Sequence, residues 1–547
     1  MATAVNEIIN GAAIRYIIAS VTPGGGKSLL PVITGRLITA GLADALCWVV
    51  PRKTLQRQGE MVFLDQLFRD ALDHNLTIRS STNETNPCRG LNGFVTTYQA
   101  LATDKNKTVQ AAFSSKKYIL ILDEYHHAEE NGIWHETLMQ IERMAKYVVL
   151  MTGTLERGNG TKIAFTPYLE QGHRLTPNLQ HTHNTRIIKY SRQDALDEKA
   201  IIPLTFFLSD GSAAWVDSNG KRVEHESISQ VRKNAGAAIY TAISTEYADD
   251  LLHKGYTHWR SHKENIYPAA KMLVVTASIE HAKKAVKFFK NKFLNAEICT
   301  SHESNEALQA IKNFQDGKTD VLVGIAMFYE GFDCKQITHI IALTNIRSTP
   351  WLEQMLARAV RVDPDAGYYE MQCGYIFAPD DVLFRNVVER IKKEQAPFVE
   401  KRSTREQIPL FTDHPLGPND GGGHGNIYNI EPLNSNLTKS RTLSINNGCG
   451  TNQSIALQPI QAPSEIEADL RDSIERHVRR YAFNNRYKPQ IINAAIKANF
   501  RKSRDMMTIH DLEMVLIYIK KEYPLSQIRG TGRRVPYTVQ RVYPELG

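Results

Sequence analysis

Two short runs of residues carry side chains suited to phosphate chemistry. The first, Thr22-Pro23-Gly24-Gly25-Gly26-Lys27-Ser28, follows the apolar stretch 14–21 and precedes the helix-like stretch 29–40. Consecutive glycines let the backbone take positive φ and present its N–H groups to a polyphosphate, and the following helix adds its positive end. Lys27 is then placed for the β- and γ-phosphates and Ser28 for Mg²⁺. A chance glycine-rich turn is the alternative, but the strand-to-helix position of the lysine favours a nucleotide site formed by Pro23, Gly24, Gly25, Gly26, Lys27 and Ser28.

The second run is Asp123-Glu124-Tyr125-His126, directly after the apolar stretch 118–122. Such a stretch predicts a strand buried on both faces, and ligands bind at the carboxyl edge of α/β sheets. Two adjacent carboxylates there can divide the work of phosphoryl transfer. We assign Asp123 to Mg²⁺ and Glu124 to the attacking water. Adjacent acidic residues also serve as simple helix caps, and the glycine-rich run upstream favours the catalytic interpretation.

The pattern that must position these residues is an alternation of strands and helices, which predicts a parallel α/β sheet. It occurs twice, and the expected strands are 14–21, 46–50, 93–97, 118–122 and 147–151 in the first series and 272–276, 297–301, 320–325, 339–343 and 375–378 in the second. The sequence therefore predicts two α/β lobes in tandem. We set their bounds at 1–165 and 166–400.

Composition limits the class of protein. The 547 residues are 42% hydrophobic and 23% charged, which is normal for a globular protein, and the net charge of +8 permits a polyanionic partner without requiring one. No apolar run reaches the ~18 residues of a membrane span, and no secretory segment opens the chain, so we expect a cytoplasmic or nucleoid-associated protein without membrane contact. The six cysteines form no C-x-x-C pair, which argues against a zinc ribbon. His181-x-His183 has no third ligand at suitable spacing, so a polar loop is favoured over a metal pair.

The last third of the chain changes character. Residues 401–464, rich in Gly, Asn, Ser and Thr, predict a linker. Ser464-x-x-Glu467 has the pattern of a capping box and opens a helical domain, 465–547. From residue 481 onward there are 12 Lys and Arg against 5 Asp and Glu. Cations set among aromatics suit nucleic acid, with Arg479 and Arg480 as contacts, although a solvated helical domain also carries such charges.

Several segments resemble, in the same order, the motifs of the superfamily 2 helicases and translocases. TPGGGKS is similar to their short P-loop with Thr22 and Pro23 exchanged, and DEYH is similar to the DExH box. The runs 49–55 and 96–98 resemble their nucleic-acid motifs, as does 275–278 in the second lobe, which implies contacts from Arg52, Thr97 and Thr276. Thr152-Gly153-Thr154 resembles the motif that links nucleotide state to domain movement, and His126 is expected to contact such coupling elements.

The resemblance continues to Arg361. The run 328–333 resembles an E-G-x-D motif, which implies nucleotide contacts from Gly331 and Asp333. Gln354-x-x-x-Arg358-x-x-Arg361 resembles a Q-x-x-G-R-x-x-R motif. It implies that Gln354 binds the nucleotide and that Arg358 and Arg361, on one helix face, stabilise charge on the γ-phosphate. A solvated basic helix face is the alternative for these arginines.

The family implies two RecA-like lobes that share ATP and Mg²⁺ and move along nucleic acid. The spelling of the DExH and E-G-F-D motifs favours DNA over RNA. Three departures stand out: Ala357 replaces a glycine, Ile325 replaces a threonine that contacts nucleic acid, and no glutamine precedes the first strand to bind adenine. An ATP-gated clamp that holds nucleic acid without unwinding it and an RNA helicase remain alternatives.

Overall fold

The computed structural model describes residues 1–105, 107–128, 134–153, 155, 162–171, 174–232, 234–292, 294–300, 305–325, 334–393, 399–400, 430–445, 463–525, 527–528 and 534–535. Its strands are β1 (Tyr16–Val21), β2 (Ala45–Val50), β3 (Ile78–Ser80), β4 (Gly93–Thr97), β5 (Tyr118–Asp123), β6 (Tyr147–Thr152), β7 (Tyr168–Gln171), β8 (Arg174–Pro177), β9 (Thr185–Tyr190), β10 (Leu204–Val216), β11 (Arg222–His225), β12 (Lys271–Thr276), β13 (Ala296–Cys299), β14 (Val321–Ile325), β15 (Ile337–Leu343), β16 (Gly374–Pro379), β17 (Val399–Glu400), β18 (Glu431–Ile445), β19 (Gln527–Ile528) and β20 (Arg534–Val535).

The helices are α1 (Ala2–Ile9), α2 (Leu29–Thr39), α3 (Lys53–Leu64), α4 (Gln66–Leu72), α5 (Tyr98–Ala102), α6 (Thr108–Ser115), α7 (His135–Met144), α8 (Arg192–Asp197), α9 (Ala235–Ser244), α10 (Glu246–Asn265), α11 (Ile279–Lys290), α12 (Asn305–Gln315), α13 (Thr349–Leu356), α14 (Val382–Lys393), α15 (Pro463–Asn485), α16 (Pro489–Phe500) and α17 (Ile509–Glu522). Within the ranges above, none combines the length and the apolar character that crossing a membrane requires.

The first lobe is built on a seven-stranded parallel sheet in the order β3-β4-β2-β5-β6-β1-β9. The central strand β5 is buried along its whole length. Its side chains alternate between two cores, with Leu120 and Leu122 on one face and Ile119 and Ile121 on the other. Both faces are covered because each crossover between parallel strands lays chain across the sheet. The two-lobed parallel α/β fold predicted from the sequence is confirmed.

The boundary of the first lobe lies later than the predicted residue 165. Strand β9 pairs in parallel with β1 along the register from Tyr16–Thr185 to Val21–Tyr190. The chain therefore forms the antiparallel pair β7 and β8 and returns to the first sheet before it crosses to the second lobe, and β17 pairs with β8 only after the chain has passed through β16. Sequence composition did not reveal this return, because β9 is a half-buried edge strand with mixed polarity.

The second lobe has an eight-stranded sheet in which β11-β10-β16-β15-β12-β14-β13 run in order and β18 also pairs with β10. Its parallel part carries two cores, one on each face. Strand β18 corrects part of the predicted 401–464 linker, because residues 431–445 lie antiparallel along the whole of β10. Leu437 and Leu443 pack against the two cores of this lobe, and this sparse apolar content is hidden among Asn, Ser and Thr.

The C-terminal helical unit consists of α15, α16 and α17 around its own core. It is fixed to the first lobe through Glu467, which is only 6% exposed. The Glu467 carboxylate forms ion pairs with Arg79 of β3, at 3.1 Å, and with Arg89. The expected capping box is therefore wrong: α15 begins at Pro463, and Ser464 donates to the Glu60 carboxylate of α3 at 2.5 Å. Ser464 and Glu467 thus bind side chains of the first lobe instead of capping α15, and together they form the joint between the C-terminal unit and that lobe.

Candidate functional site

The glycine-rich run forms a turn between β1 and α2, as predicted. Gly24 and Gly26 have φ of +92° and +77°, a region that favours glycine. Gly24 also packs closely against the second lobe, since a Cβ there would lie 2.9 Å from Cγ2 of Val360. The side chain of Ser28 does not cap α2, so its hydroxyl is not committed to the helix. The turn thus offers backbone N–H groups and a hydroxyl at the carboxyl edge of the first sheet.

Lys27 brings this turn together with the acidic run at the end of β5. Its ammonium forms an ion pair with Glu124 and lies 3.8 Å from Oδ1 of Asp123. All three side chains are nearly buried, so the charges act through little water. The two runs, distant in sequence, therefore lie side by side at one edge of the first sheet.

Glu124 accepts hydrogen bonds from four further groups, one of them the Thr152 hydroxyl, 3.5 Å from Oε2. Its Oε2 lies 3.3 Å from the backbone nitrogen of Gly153 and 3.2 Å from Nδ1 of His126, and Oε1 accepts from Nε2 of Gln354 at 3.1 Å. The backbone of Glu124 is left-handed, with φ of 45°, which is a strained conformation for a residue with a side chain. The strain is held in place by these contacts.

The two carboxylates differ in their protonation. Burial raises the pKa of Asp123 to about 6, partly offset by the charge of Lys27. Burial alone would also raise the pKa of Glu124, but the Lys27 charge and the His126 hydrogen bond hold it well below its ordinary value. Neighbouring acids with separated pKa values have separate roles in many active sites. Here Glu124 stays ionised to a lower pH than Asp123 does.

His126 connects the acidic run to the end of β6. Its Nδ1 lies 2.8 Å from Oγ1 of Thr152, whose neighbour Gly153 donates to Glu124. Gly153 is also packed on the P-loop, since a Cβ there would lie 2.8 Å from Cγ of Pro23. The residues expected to link nucleotide state to movement are therefore contiguous with both phosphate-handling runs.

The second lobe reaches the cleft with Gln354 and Arg361. Arg361 donates from Nη1 to the carbonyl of Gly24 at 3.3 Å. The prediction that Arg358 and Arg361 share one helix is wrong, because α13 ends at Leu356, Arg358 lies in a 3₁₀ turn and Arg361 forms an antiparallel bridge with Ile201. The segment that connects the two lobes, at Ile201, thus pairs with the segment that carries Arg361, and this segment is not helical.

That connection begins where β9 meets the P-loop. The backbone nitrogen of Thr22 donates to the carbonyl of Tyr190, and Ile202 donates to the carbonyl of Val360, both at 2.9 Å. Tyr190 packs against cores of both lobes. Nothing in the sequence assigns Tyr190 or Ile201 to the cleft; the residues from Ile201 to Leu208 predict only a strand that follows a polar segment.

The five expected nucleic-acid residues lie on three separate units. Arg52 precedes α3 and Thr97 precedes α5 in the first lobe, Thr276 ends β12, and Arg479 and Arg480 are exposed on α15. Thr276 is fully buried and donates to the carbonyl of Gly324, and Thr97 caps α5 with its hydroxyl. Neither threonine hydroxyl is placed for direct contact with a partner, because each completes local backbone pairing.

Some predicted residues fall outside the described ranges. These are Thr154 and the motif 328–333, with Gly331 and Asp333. His181 accepts from the backbone nitrogen of Ile187 at 3.3 Å, which fits the polar-loop interpretation.

The donor set of the cleft fits Mg²⁺. This ion takes one or two carboxylates, a hydroxyl or waters, and substrate phosphates, all oxygen donors. The Ser28 hydroxyl and the buried Asp123 carboxylate would be the protein ligands of the ion. A cation bound there would lower the raised pKa of Asp123 and so favour its charged form. In the described part of the chain no group of three or more His, Cys, Asp and Glu side chains is arranged for a metal.

Two family models match the chain. The one for the "Type III restriction enzyme, res subunit" matches residues 2–157, and the one for the "Helicase conserved C-terminal domain" matches 258–363. The first covers the P-loop and the acidic run, and the second covers Gln354, Arg358 and Arg361. The two matches thus meet at the cleft described above.

Individual relatives are distant. A Saccharomyces cerevisiae protein named "Putative ATP-dependent helicase IRC3" is 24% identical over 30% of this chain, and the UvrABC system protein B of a Synechococcus species is 25% identical over 27%. The alignments span only 26% and 21% of those proteins. The Mycobacterium smegmatis helicase Lhr bound to ssDNA and AMP-PNP superimposes with a TM-score of 0.44 at 13% identity, over 72% of this chain and 48% of that one.

Proposed function

This chain belongs to superfamily 2 of the helicases, and from that premise we propose that it is an ATP-dependent helicase or translocase that acts on nucleic acid, with DNA as the preferred substrate. The observation that carries the proposal is the arrangement of Lys27, Glu124 and Gln354. One P-loop lysine, one acidic-run carboxylate and one glutamine from the other lobe meet in a single buried cluster.

The cluster supports a sequence of contacts during turnover. While Lys27 is paired with Glu124, that carboxylate is a poor base because its pKa is held low. When Lys27 turns to a γ-phosphate, Glu124 loses its strongest cation and its basicity rises, so it can accept a proton from the attacking water. Mg²⁺ held by Ser28 and Asp123 would neutralise charge on the phosphates.

The second lobe supplies the remaining charge stabilisation in this proposal. Arg361 already contacts the carbonyl of Gly24 in the P-loop. A small rotation of the lobes about the connection at Ile201 would bring Arg361, with Arg358 three residues earlier in the chain, to the transferred phosphate, and would couple hydrolysis to strand movement. Gly331 and Asp333 complete the nucleotide contacts in this proposal.

We further propose that the C-terminal unit, with Arg479 and Arg480, and the residues Arg52, Thr97 and Thr276 line the path of the nucleic acid, the two threonines through their backbone. We keep a cytoplasmic or nucleoid-associated location as a prediction.

The second candidate function is an ATP-gated clamp. It is favoured by the firm joint between Glu467 and the first lobe, which suits a unit that holds rather than moves.

The test is hydrolysis of ATP by the full chain with single-stranded, duplex and forked DNA and with RNA. Lys27→Ala should lower nucleic-acid-stimulated turnover by about 10²–10³-fold, because a preorganised charge on the phosphates is removed. Lys283→Ala, exposed on α11, is the matched control. Undiminished turnover in Lys27→Ala would remove the nucleotide site, and ATPase without release of a labelled strand from forked DNA would favour the clamp.

A further inference from the structure

The C-terminal unit presents one aromatic side chain almost wholly to solvent. Phe483, near the end of α15, is 87% exposed, the most exposed of the large apolar side chains in the described ranges. Other aromatics of this unit, Tyr481, Phe500, Tyr518 and Tyr523, pack against its core. Folding of the unit therefore does not need the Phe483 ring, and leaving such a ring in water has a cost in free energy.

The surroundings of Phe483 are basic. At 100° per residue, Arg476, Arg479 and Arg480 lie on the same face of α15 as Phe483, opposite the buried Ile474 and Val478. Arg486 follows at the end of the helix in the left-handed region, where it turns the chain towards α16. An apolar ring at the centre of a cationic rim selects a partner that is both flat and anionic.

Part of this positive charge is not neutralised by ion pairs within the described residues. Arg476 and Arg479 are paired with Asp472 and Glu475 along the helix, at 3.4 and 2.6 Å. Among the described residues, the side chains of Arg480 and Arg486 have no ion-pair partner. Exposed helix pairs are weak and exchange readily for a phosphate. The surface thus keeps a positive excess next to the ring.

The surface is held at a fixed place on the first lobe. Glu467, sixteen residues before Phe483 on the same helix, is clamped by Arg79 and Arg89, and the rise of an α-helix puts Phe483 about 24 Å further along α15. Thr508 of the unit also lies against Gly90 of the first lobe. A strand bound at Phe483 would move with the first lobe.

We infer that Phe483 and its arginine rim form a binding surface for single-stranded nucleic acid, in which an unpaired base stacks on the Phe483 ring and Arg480 and Arg486 contact the flanking phosphates. Stacking needs a base whose face is open, which a duplex does not offer along its length. The inference rests on the proposed function for the class of partner, which is nucleic acid. It adds that this surface binds the single strand rather than the duplex.

The experiment uses the full chain without nucleotide and measures fluorescence anisotropy of a labelled oligothymidine and of a duplex of equal length. Phe483→Ala should weaken single-strand binding about tenfold to hundredfold and leave duplex binding unchanged, since one stacked base is lost. Phe483→Trp should retain affinity, and its indole emission should be quenched on binding. Ile517→Ala, at an exposed apolar site of α17, is the control for loss of surface area.

Charge and stacking are separated by salt. Phe483→Ala should leave the slope of log affinity against log salt unchanged, whereas Arg480→Ala with Arg486→Ala should flatten it by about 0.7 for each lost single-strand phosphate contact. Equal affinity of Phe483→Ala and the parent chain for oligothymidine would overturn the inference, as would equal losses on both ligands. A chain without ATPase activity but with these binding results would refute the proposed function and keep the inference.

Discussion

Gln354 of the second lobe donates a hydrogen bond from Nε2 to Oε1 of Glu124, 3.1 Å away across the cleft. Lys27 is paired with that same oxygen. The carboxylate proposed to activate water is therefore in contact with the P-loop and with the second lobe at once. Movement of either partner changes its charge environment, which links the position of the second lobe to the basicity of Glu124.

Gln354→Ala should lower nucleic-acid-stimulated kcat by about tenfold or more, because a buried hydrogen bond to a charged group is worth roughly 1.5–3 kcal/mol. Gln354→Glu should lower it further, since a second carboxylate would face Glu124. Steady-state ATPase with and without single-stranded DNA measures both variants. Gln309→Ala, exposed on α12, is the control, and a Gln354→Ala enzyme with parental kcat would contradict the coupling.

Glu124→Gln should retain ATP and lose about 10²–10⁴-fold in turnover, because the amide keeps the size and one accepting oxygen of the carboxylate but cannot accept a proton. ATP affinity should also rise, since Lys27 would no longer have to break an ion pair with Glu124 before it binds the phosphates. Filter binding of labelled ATP and single-turnover hydrolysis give the two quantities. Loss of both binding and hydrolysis would show that the assigned roles of Asp123 and Glu124 are wrong, and Glu280→Gln on the exposed face of α11 controls for charge.

Glu467→Gln should loosen the C-terminal unit, because Arg79 and Arg89 lose the buried carboxylate that they share, although Arg79 keeps its pair with Glu84. Removing one partner of a buried ion pair costs about 3–5 kcal/mol. Limited proteolysis at the start of α15 and thermal unfolding should both report the change. Glu475→Gln breaks an exposed pair on the same helix, which is worth only about 0.3–0.5 kcal/mol, and serves as the control. Equal behaviour of the two variants would mean that the joint is not held by Glu467.

Three histidines in the second lobe are expected to make the free energy of unfolding depend on pH. His258 and His262 of α10 lie against His339 of β15, with 2.8 Å between Nδ1 of His258 and Nε2 of His339. Burial lowers the pKa of all three, to about 4 for His262 and well below the ordinary value for His339. Tyr375 of β16, whose pKa burial raises, faces the same cluster and stays neutral over this range.

Because the folded state binds fewer protons than the unfolded chain, this contribution is complete above about pH 6.5 and is lost as the pH falls towards 4. The thermal midpoint should therefore fall between pH 7 and pH 5. His262→Phe should flatten that dependence, and His183→Asn, in an exposed loop, should not. A His262→Phe variant with the parental pH profile would contradict the role of the cluster.

The site was predictable to the extent that it depends on local chemistry. Lys27, Asp123 and Glu124 were found because glycines, a lysine and paired carboxylates occur next to strand patterns, and a parallel sheet brings the carboxyl ends of its strands to one edge. Their meeting in the cleft follows from topology that alternation alone implies.

Contacts between distant segments were not predictable in this way. Nothing in the sequence near Arg361 shows that Ile201 pairs with it and ends α13 at Leu356. Likewise, Glu467 has the spacing of a cap, and only the buried position of Arg79 and Arg89 gives it another role. Both misassignments occurred where a tertiary partner competes with a local pattern.

Strand β18 has a consequence for the order in which the protein forms during synthesis. Strand β10 leaves the ribosome long before residues 431–445, yet β18 covers it along its entire length. Until then one edge of β10, with its unpaired backbone groups, is open to other chains. The first lobe, whose last strand is β9, has all of its sheet much earlier. We expect the nascent second lobe, rather than the first, to be the segment that needs protection from aggregation by chaperones.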